Sequence, residues 1–359
     1  MDFLIKRDDL HECRIADSPA PELEDGQALL EVDVFGLTAN NITYAVFGEA
    51  MSYWKFFPAE EGWGRMPVWG FADVAASRHD EVSEGTRVFG YLPPSSYLVV
   101  APEQVGESAF VEASPHRAEL PAAYNRYSLV ARDRTYDERF EDQHMLLWPL
   151  FFTSFLLDDQ LGEENVHGAE VVTISSASSR TASAAAFLLS RREGVEVVGL
   201  TSPRNANFVE GLGVYARAVP YEELESLERR PTEYVDVAGD AALRRRVHEH
   251  FGDGLVSDTT VGATHHDRMQ SDGGDLPDPR PSFFFAPERL RKRAADWRGE
   301  GLNARLADAW RPYVEWATGW LEIVHDEGPQ AIERVYLDLL DGRTDPSIGH
   351  VLSPGDGSA

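Results

Sequence analysis

Apolar and polar residues alternate along Leu29–Val34 (LLEVDV), with Leu30, Val32 and Val34 on one face and Glu31 and Asp33 on the other. That period of two marks a half-buried strand. Val68–Ala75, Arg87–Tyr91 and Ser96–Val100 repeat the pattern between Gly, Pro and Ser-Glu-Gly turns, and strands this short and closely spaced predict a small barrel or sandwich. Near residue 140 the rhythm changes. Glu141–Leu161 has helical length, Glu170–Ile174 (EVVTI) reads as a buried strand, and Thr181–Arg191 (TASAAAFLLSR) is Ala-rich and helical. Further strands are predicted at Val195–Leu200, Ala216–Val219, Tyr234–Val237, Gly254–Thr259 and Ser282–Phe285, with helices over Asn205–Gly213 and Ala242–Phe251. Strands alternating with helices mean βαβ units, a parallel sheet and right-handed crossovers. Asp267–Pro281 is a polar, Pro/Gly-rich excursion expected to be a surface loop. Pro287–Thr318 is helical and charged; Leu321–Val324, a helix over Gln330–Asp341 and a strand Gly349–Leu352 complete the pattern.

Length and charge narrow what such a chain can do. Its 359 residues predict two domains, and 43% apolar with 11% aromatic residues supplies real cores and argues against disorder. A formal net charge of −28 repels phosphodiester backbones and anionic membrane surfaces, so neither nucleic acid nor membrane is an expected partner. The apolar run Met145–Leu157 contains Pro149 and falls short of the about 20 residues that span a bilayer. Charges in MDFLIKRDDL stand where a signal peptide needs its apolar stretch, so a soluble cytoplasmic protein is expected. Cys13 is the only cysteine, which excludes intrachain disulfides, Cys-rich zinc sites and iron–sulfur clusters. His265-His266-Asp267 and His248-x-His250 lie in polar stretches, and adjacent residues of a strand point opposite ways, so no metal is expected there either.

The strand–turn–helix EVVTI-SSASSRTA-SAAAFLLS is the strongest local chemical signal. In a dinucleotide-binding βαβ unit this turn sets backbone N–H groups and a helix amino terminus against a pyrophosphate. Here Ser176, Ser178 and Ser179 offer hydroxyl donors, Arg180 a bidentate grip on phosphate, and Thr181 opens the helix. An ordinary βα turn with a serine cap fits the same residues. After the second strand come Thr201, Ser202 and Arg204, where an NAD enzyme places an acid for the ribose 2′-hydroxyl. Hydroxyls with a guanidinium suit a 2′-phosphate; a solvated loop arginine is the plain alternative. Tyr53, Trp54, Phe56, Phe57, Trp63 and Trp69 crowd one stretch that would line an apolar substrate pocket, fill a local core or make a dimer contact.

The order of these landmarks resembles the medium-chain dehydrogenase/reductase superfamily, nearest its zinc-free quinone- and enone-reductase branch. Gly36–Tyr44 (GLTANNITY) resembles the family's "GLNPxD" segment, Met66–Val74 (MPVWGFADV) its "P-x-x-x-G-x-E-x-x-G-x-V" strand, Glu84–Val88 (EGTRV) its "GDRV" turn, and Phe152-Thr153-Ser154 its "LTA". Glu327–Ser353 matches the closing helix and strand. Two departures stand out: the family's "GASGGVG" loop reads Ser176-Ala-Ser-Ser-Arg-Thr-Ala182, without a glycine, and its "NP" is Asn40-Asn41. Tyr53–Pro58 and Phe283–Arg293 mark a divergent subgroup.

The resemblance implies an α/β chain with a GroES-like β-barrel domain (1–135 and 319–359) and an inserted, doubly wound Rossmann domain (136–318), the cofactor lying between them. It implies NADPH as cofactor and a metal-independent hydride transfer to an enone or quinone. Reduction of a simple aldehyde or ketone, or NADPH sensing without catalysis, are the alternatives. By the same likeness Asn40, Asn41 and Tyr44 fall in the segment beside the nicotinamide, with Tyr44, and Tyr53 after it, as donors to a developing oxyanion; a tyrosine packed in a core corner is the structural alternative. Thr153 is implied at the nicotinamide ribose, Tyr221 near the adenosine phosphate, and Phe285 at the end of a strand meeting the carboxamide. Expected partners are a small apolar or aromatic carbonyl substrate and, if the aromatic stretch is a dimer contact, a second copy of the chain.

Cys13 lies outside the family's zinc-ligand segment, so purified protein is expected to contain no stoichiometric zinc and to keep any activity in chelator. Elemental analysis finding one zinc per chain, lost together with activity, would overturn the zinc-free likeness.

Overall fold

Both ends of the chain build one folding unit. A computed structural model describes residues 1–261 and 276–355, and it divides into unit 1, Met1–Leu146 with the chain from Leu321 onward, and unit 2, Leu147–Trp320. Ten strands come first: β1 (Asp2–Lys6), β2 (Cys13–Ala16), β3 (Ala28–Leu37), β4 (Trp63–Gly64), β5 (Val68–Ser77), β6 (Arg87–Leu92), β7 (Tyr97–Val100), β8 (Pro102–Glu103), β9 (Ala109–Glu112) and β10 (Arg126–Leu129). Helix α1 (Ala39–Val46) follows β3. Helix α2 (Glu141–Glu163) runs across the division between the units, which therefore falls at Leu146/Leu147.

Alternation governs β3 only as far as Val32. There Leu30 and Val32 are buried and Glu31 exposed, but the pairing of β3 with β5 slips between Val32 and Val34, leaving Asp33 as an extra residue. One inserted residue reverses the phase of a strand. Val34, expected inside, is half-exposed, and Phe35 takes the buried position. Gly70 on β5 lies so close to β3 that an added Cβ would stand 2.3 Å from the Val34 carbonyl oxygen, so only glycine fits.

In unit 2 the strands β11 (Val171–Ile174), β12 (Glu196–Thr201), β13 (Arg217–Pro220), β14 (Thr232–Asp236), β15 (Leu255–Thr260) and β16 (Ser282–Phe283) form one sheet in the order β13-β12-β11-β14-β15-β16. Each neighbouring pair is parallel. This is the doubly wound order, and its direction reverses between β11 and β14. Helices α3 (Arg180–Leu189), α4 (Ala206–Gly211), α5 (Ala241–Phe251) and α6 (Ala286–Ala317) connect or cover the strands. Ala182, Ala184, Ala185 and Ala186 are fully buried, so their small side chains let α3 pack closely. Asp240 caps α5 by accepting from the N–H groups of Ala242 and Leu243 at 2.8 and 3.1 Å. On α6, Tyr313 stacks on Phe151 at 4.8 Å between ring centroids, and Trp316 meets Phe187 in a tilted contact at 5.1 Å. Arg289 and Arg293 of the same helix pair with Asp159 and Glu163 of α2. The last strand of the sheet is shorter than Ser282–Phe285: it ends at Phe283, and Phe285 is the half-exposed residue preceding α6. Most of the predicted 267–281 loop, with His265, His266 and Asp267, lies outside the described residues.

The chain returns to unit 1 as β17 (Glu322–Glu327), α7 (Pro329–Leu340) and β18 (Ile348–Ser353). The nine-stranded sheet reads β17-β18-β3-β5-β6-β10-β9-β8, with β7 also pairing β3. Ala331, Ile332, Val335, Tyr336 and Leu339 line the buried face of α7 at helical spacing, and the Tyr336 hydroxyl donates to the Leu10 carbonyl at 2.8 Å. The aromatic stretch after α1 is core: Trp54, Phe56 and Phe57 are almost wholly buried. Among the described residues no helix is long and apolar enough to cross a membrane.

Because β18 pairs both β3 and β17, deleting Gly349–Ala359 should abolish the cooperative melting of unit 1. Loss of the near-ultraviolet circular dichroism of its tyrosines on purification would report this. A truncated protein that melts as the full chain does would show that the strand is dispensable.

Candidate functional site

The carboxyl ends of β11, β12 and β13 hold most of the predicted cofactor residues. The turn after β11 contains no glycine, yet it takes a glycine-like conformation: Ser176 has a positive φ of 52°. Holding an L-residue there costs on the order of 1 kcal/mol. Two contacts compensate. The Ser176 N–H donates to the Tyr221 hydroxyl at 3.1 Å, and the Ser179 N–H donates to the Ser176 carbonyl at 2.8 Å. Ser179 caps α3, its hydroxyl accepting from the Ala182 N–H at 3.2 Å. The close approach that loop glycines normally permit is supplied by the neighbouring strand instead. A Cβ added to Gly199 of β12 would stand 2.8 Å from the Ala177 Cβ and 2.9 Å from the Tyr215 ring.

Ser178 is joined to the second predicted group. Its hydroxyl accepts from Asn205 Nδ2 at 3.0 Å, which ties the serine turn to the short turn Pro203–Asn205 bearing the exposed Arg204. Thr201 ends β12 almost fully buried, and the Thr201 and Ser202 hydroxyl oxygens are buried with no hydrogen-bond partner among the described residues. An unsatisfied buried hydroxyl is costly, so such a pair marks a place for an acceptor from outside the chain. Arg180 opens α3 half-buried, and desolvation lowers its pKa to about 10. Thr153 donates to the Pro149 carbonyl of its own helix at 3.3 Å, whereas Ser154 beside it reaches the Thr181 carbonyl at 2.9 Å.

Beneath the turn lies a polar network that the sequence did not announce. Asp236, fully buried at the end of β14, accepts from the Ser175 hydroxyl at 2.7 Å, the Gly239 N–H at 3.0 Å and the Tyr234 hydroxyl at 3.3 Å, and it pairs with Arg244. The Ser175 oxygen in turn accepts from the N–H groups of Val237 and Ala238, both at 2.9 Å. Arg244 also donates to Thr260 at 2.8 Å and faces Asp258, which His248 Nε2 meets at 2.9 Å. His250 turns elsewhere, to the Leu227 carbonyl. A serine ending one strand and an aspartate ending the next thus lock the turns after β11 and β14 together.

The residues expected to do chemistry lie in unit 1. Asn41 is a scaffold residue: its Oδ1 accepts from the Thr38 N–H and hydroxyl at 2.8 and 3.0 Å, starting α1, and its Nδ2 donates to the Pro67 carbonyl at 3.0 Å. Asn40, one residue earlier, donates through Nδ2 to the Tyr44 hydroxyl at 2.9 Å. Trp69 Nε1 donates to the same oxygen at 3.3 Å. Burial, with Tyr53 beside it, pushes Tyr44 up to about 12 despite those two donors. Tyr44 and Tyr53 are 4.8 Å apart between centroids, and the Tyr124 ring meets both edge-on at 6.3 and 6.0 Å. Trp69 and Tyr124 were not singled out as site residues. Trp69 sits within a quoted motif, and Tyr124 follows the turn opened by Pro121, with no local pattern to mark it.

The chain belongs to the family described as "Protein of unknown function (DUF2855)", whose model matches residues 35–345. No curated protein matches its sequence. Among solved structures it is similar to CurA from Vibrio vulnificus, with 13% identity over 96% of this chain and 94% of that one at a TM-score of 0.60. It is similar to the quinone oxidoreductase from Coxiella burnetii, with 14% identity over 98% of each chain and a TM-score of 0.51. It is also similar to E. coli K-12 YhdH with bound NADPH, with 14% identity over 99% of this chain and 100% of that one and a TM-score of 0.54. At such identities the likeness is one of fold, and the fold is the expected α/β one, GroES-like with Rossmann.

Asp236→Ala leaves Arg244 buried without its main counter-charge. Urea unfolding is expected to show a loss of about 3–5 kcal/mol, the range for removing one member of a buried ion pair. A change below about 1 kcal/mol, the scale of an exposed pair, would show that the network does not organise the sheet end.

Proposed function

We propose that this protein is an NADPH-dependent, metal-independent oxidoreductase whose substrate is a conjugated carbonyl compound or a quinone. One observation carries the nucleotide part: the Thr201 and Ser202 hydroxyls are buried and have no hydrogen-bond partner among the described residues, at the end of the second Rossmann strand, with Arg204 in the turn that follows. No carboxylate occupies Thr201–Asn205. Hydroxyls and a guanidinium favour a 2′-phosphate, whereas the ribose 2′-hydroxyl of NAD calls for an acid. Ser176, Ser178, Ser179 and Thr181, at the amino end of α3, would hold the pyrophosphate, with Tyr221 beside them. That CurA and YhdH were each crystallised with NADPH supports the assignment. When bound, the dihydronicotinamide would supply the hydride. The contribution of unit 1 would be hydrogen-bond donors for the oxygen that becomes negative, which its tyrosine hydroxyls can provide.

A second reading, NADPH binding without turnover, is favoured by a different contact. The Ser176 N–H, which a phosphate would require, already donates to Tyr221. A sensor whose turn exchanges Tyr221 for phosphate would have that arrangement.

A phosphate–guanidinium contact contributes on the order of 1.5–3 kcal/mol, roughly ten- to a hundredfold in affinity. Calorimetry is therefore expected to show NADPH binding at least tenfold more tightly than NADH, and Arg204→Ala to remove most of that preference. Equal affinities would end the specificity argument. Oxidation of NADPH with a panel of enones and quinones separates the two readings: turnover supports the reductase, and tight binding without turnover supports the sensor.

A further inference from the structure

Asn205 reaches both turns that the cofactor reading uses. Its backbone N–H donates to the Ser202 carbonyl at 3.0 Å, closing the turn after β12. Its side-chain Nδ2 donates to the Ser178 hydroxyl oxygen at 3.0 Å, in the turn after β11. The side chain makes no capping bond to α4, which it precedes. A backbone tie joins the same two turns, from the Ala177 N–H to the Leu200 carbonyl at 3.0 Å. A linking role therefore does not by itself call for asparagine. An aspartate has the same shape and would link the turns as well, because a serine hydroxyl donates as readily as it accepts. What asparagine adds is a direction. With an amide N–H on its oxygen, Ser178 keeps its proton to offer, and a hydroxyl that already accepts is the stronger donor. In the turn to which it is tied, the Thr201 and Ser202 hydroxyls are buried with no hydrogen-bond partner among the described residues. Three hydroxyl protons are thus available on residues that one asparagine connects.

We propose that Asn205 sets the nucleotide preference of this protein, as a positioning residue that holds Ser178 as a donor to the 2′-phosphate. The proposal rests on the NADPH reading and names the residue that decides between the two nucleotides. Within the serine turn it moves Ser178 from the pyrophosphate to the 2′-phosphate, since its hydroxyl is the one tied to the turn after β12. A phosphate monoester presents charged acceptors, so it takes the protons of Ser178, Thr201 and Ser202 and offers none back. A free ribose 2′-hydroxyl has its own proton to place, and NAD enzymes supply a carboxylate for it at the end of the second strand. No carboxylate stands in Thr201–Asn205, and the Asn205 amide already fills one of the two acceptor positions of Ser178. Exchanging one nitrogen for one oxygen, Asn205→Asp, reverses this arrangement. The carboxylate takes the Ser178 proton, repels a phosphate and gives a free ribose the acceptor it needs.

Calorimetry on the full chain tests this without any turnover, with NADPH against NADH and adenosine 2′,5′-bisphosphate against 5′-AMP. The second pair differs in the 2′-phosphate alone. Asn205→Asp is expected to weaken NADPH and the bisphosphate by about tenfold or more, the scale of a hydrogen bond to a charged group. NADH and 5′-AMP should bind the same variant as tightly as they bind the wild type, or more tightly. Asn205→Ala removes the direction without adding charge, so it should weaken only the 2′-phosphorylated nucleotides, and by a few-fold. In a Ser178→Ala background the same change should have no effect on affinity, because Asn205 acts through that hydroxyl. Near-ultraviolet circular dichroism matching the wild type confirms that each variant is folded; if Asn205→Asp is not, the cycle of Asn205→Ala with Ser178→Ala decides. An Asn205→Asp protein that keeps the wild-type preference, or one that loses both nucleotides of a pair alike, would overturn the assignment. Additive losses in Asn205→Ala and Ser178→Ala would overturn it too. The NADPH reading fails separately, and takes the proposal with it, if the wild type binds neither dinucleotide or binds the two equally.

Discussion

Asp236 cannot be buried without donors, and meeting that requirement shapes the end of the Rossmann sheet. A carboxylate taken fully out of water loses several kcal/mol of hydration unless hydrogen bonds and a counter-charge replace it. Ser175, Tyr234, Gly239 and Arg244 replace it here. Two of these are the residues that the turns after β11 and β14 must place correctly, so satisfying the carboxylate and fixing the switch point are one event. The same serine oxygen that donates to Asp236 accepts from two successive N–H groups after β14. The turn after β11 that this serine opens has little freedom left, and it contains no glycine.

The tyrosine cluster of unit 1 is ordered by the same kind of constraint, worked through acceptors. Once Asn40 and Trp69 occupy the Tyr44 oxygen, the direction of every later hydrogen bond is restricted. The structural alternative for Tyr44, a phenol packed into a core corner, is correct about its burial, but a merely packed phenol does not need two directed N–H donors. Asn41 shows the contrast. It is adjacent in sequence, yet its oxygen is committed to the start of α1 and its amide to Pro67, so neighbouring asparagines divide between holding the helix and orienting the hydroxyl.

Much of the fold was legible because period and punctuation agree over most of the chain. EVVTI followed by a serine turn and an Ala-rich run could scarcely be anything but a strand, a turn and a helix packed closely on a sheet. Features that depend on partners distant in sequence were not legible. The extra residue at Asp33 is invisible in LLEVDV, because a bulge is a property of the pairing with β5 and not of the strand alone. Phe285 continues an apolar run, yet no backbone partner extends β16 beyond Phe283. The aromatic stretch after α1 satisfies a pocket and a core equally well on composition; burial of Trp54, Phe56 and Phe57 identifies it as core. Of the candidate site, the serines, Thr201 and Ser202 were found through their place after a strand, and Tyr221 through the family likeness. Tyr124, Trp69 and the Asp236 network have no such marker, since their meaning lies in which hydroxyl, indole or guanidinium each one faces.

The missing glycines of the serine turn bring these strands of argument together. A phosphate-binding turn needs room for the backbone, a left-handed residue and N–H groups aimed outward. The room comes from Gly199 on the adjacent strand, where any side chain would collide with Ala177. The left-handed residue is Ser176, held by the Ser179 N–H on its carbonyl and by Tyr221 on its N–H. An incoming phosphate would therefore exchange one neutral hydrogen bond, Ser176 to Tyr221, for a charge-assisted one, which is roughly twice as strong. Tyr221 would remain beside the phosphate as a donor. The turn thus departs from the family motif in residue type while keeping a left-handed residue and room for the backbone, and the Ser176–Tyr221 bond is the one a bound phosphate would have to open.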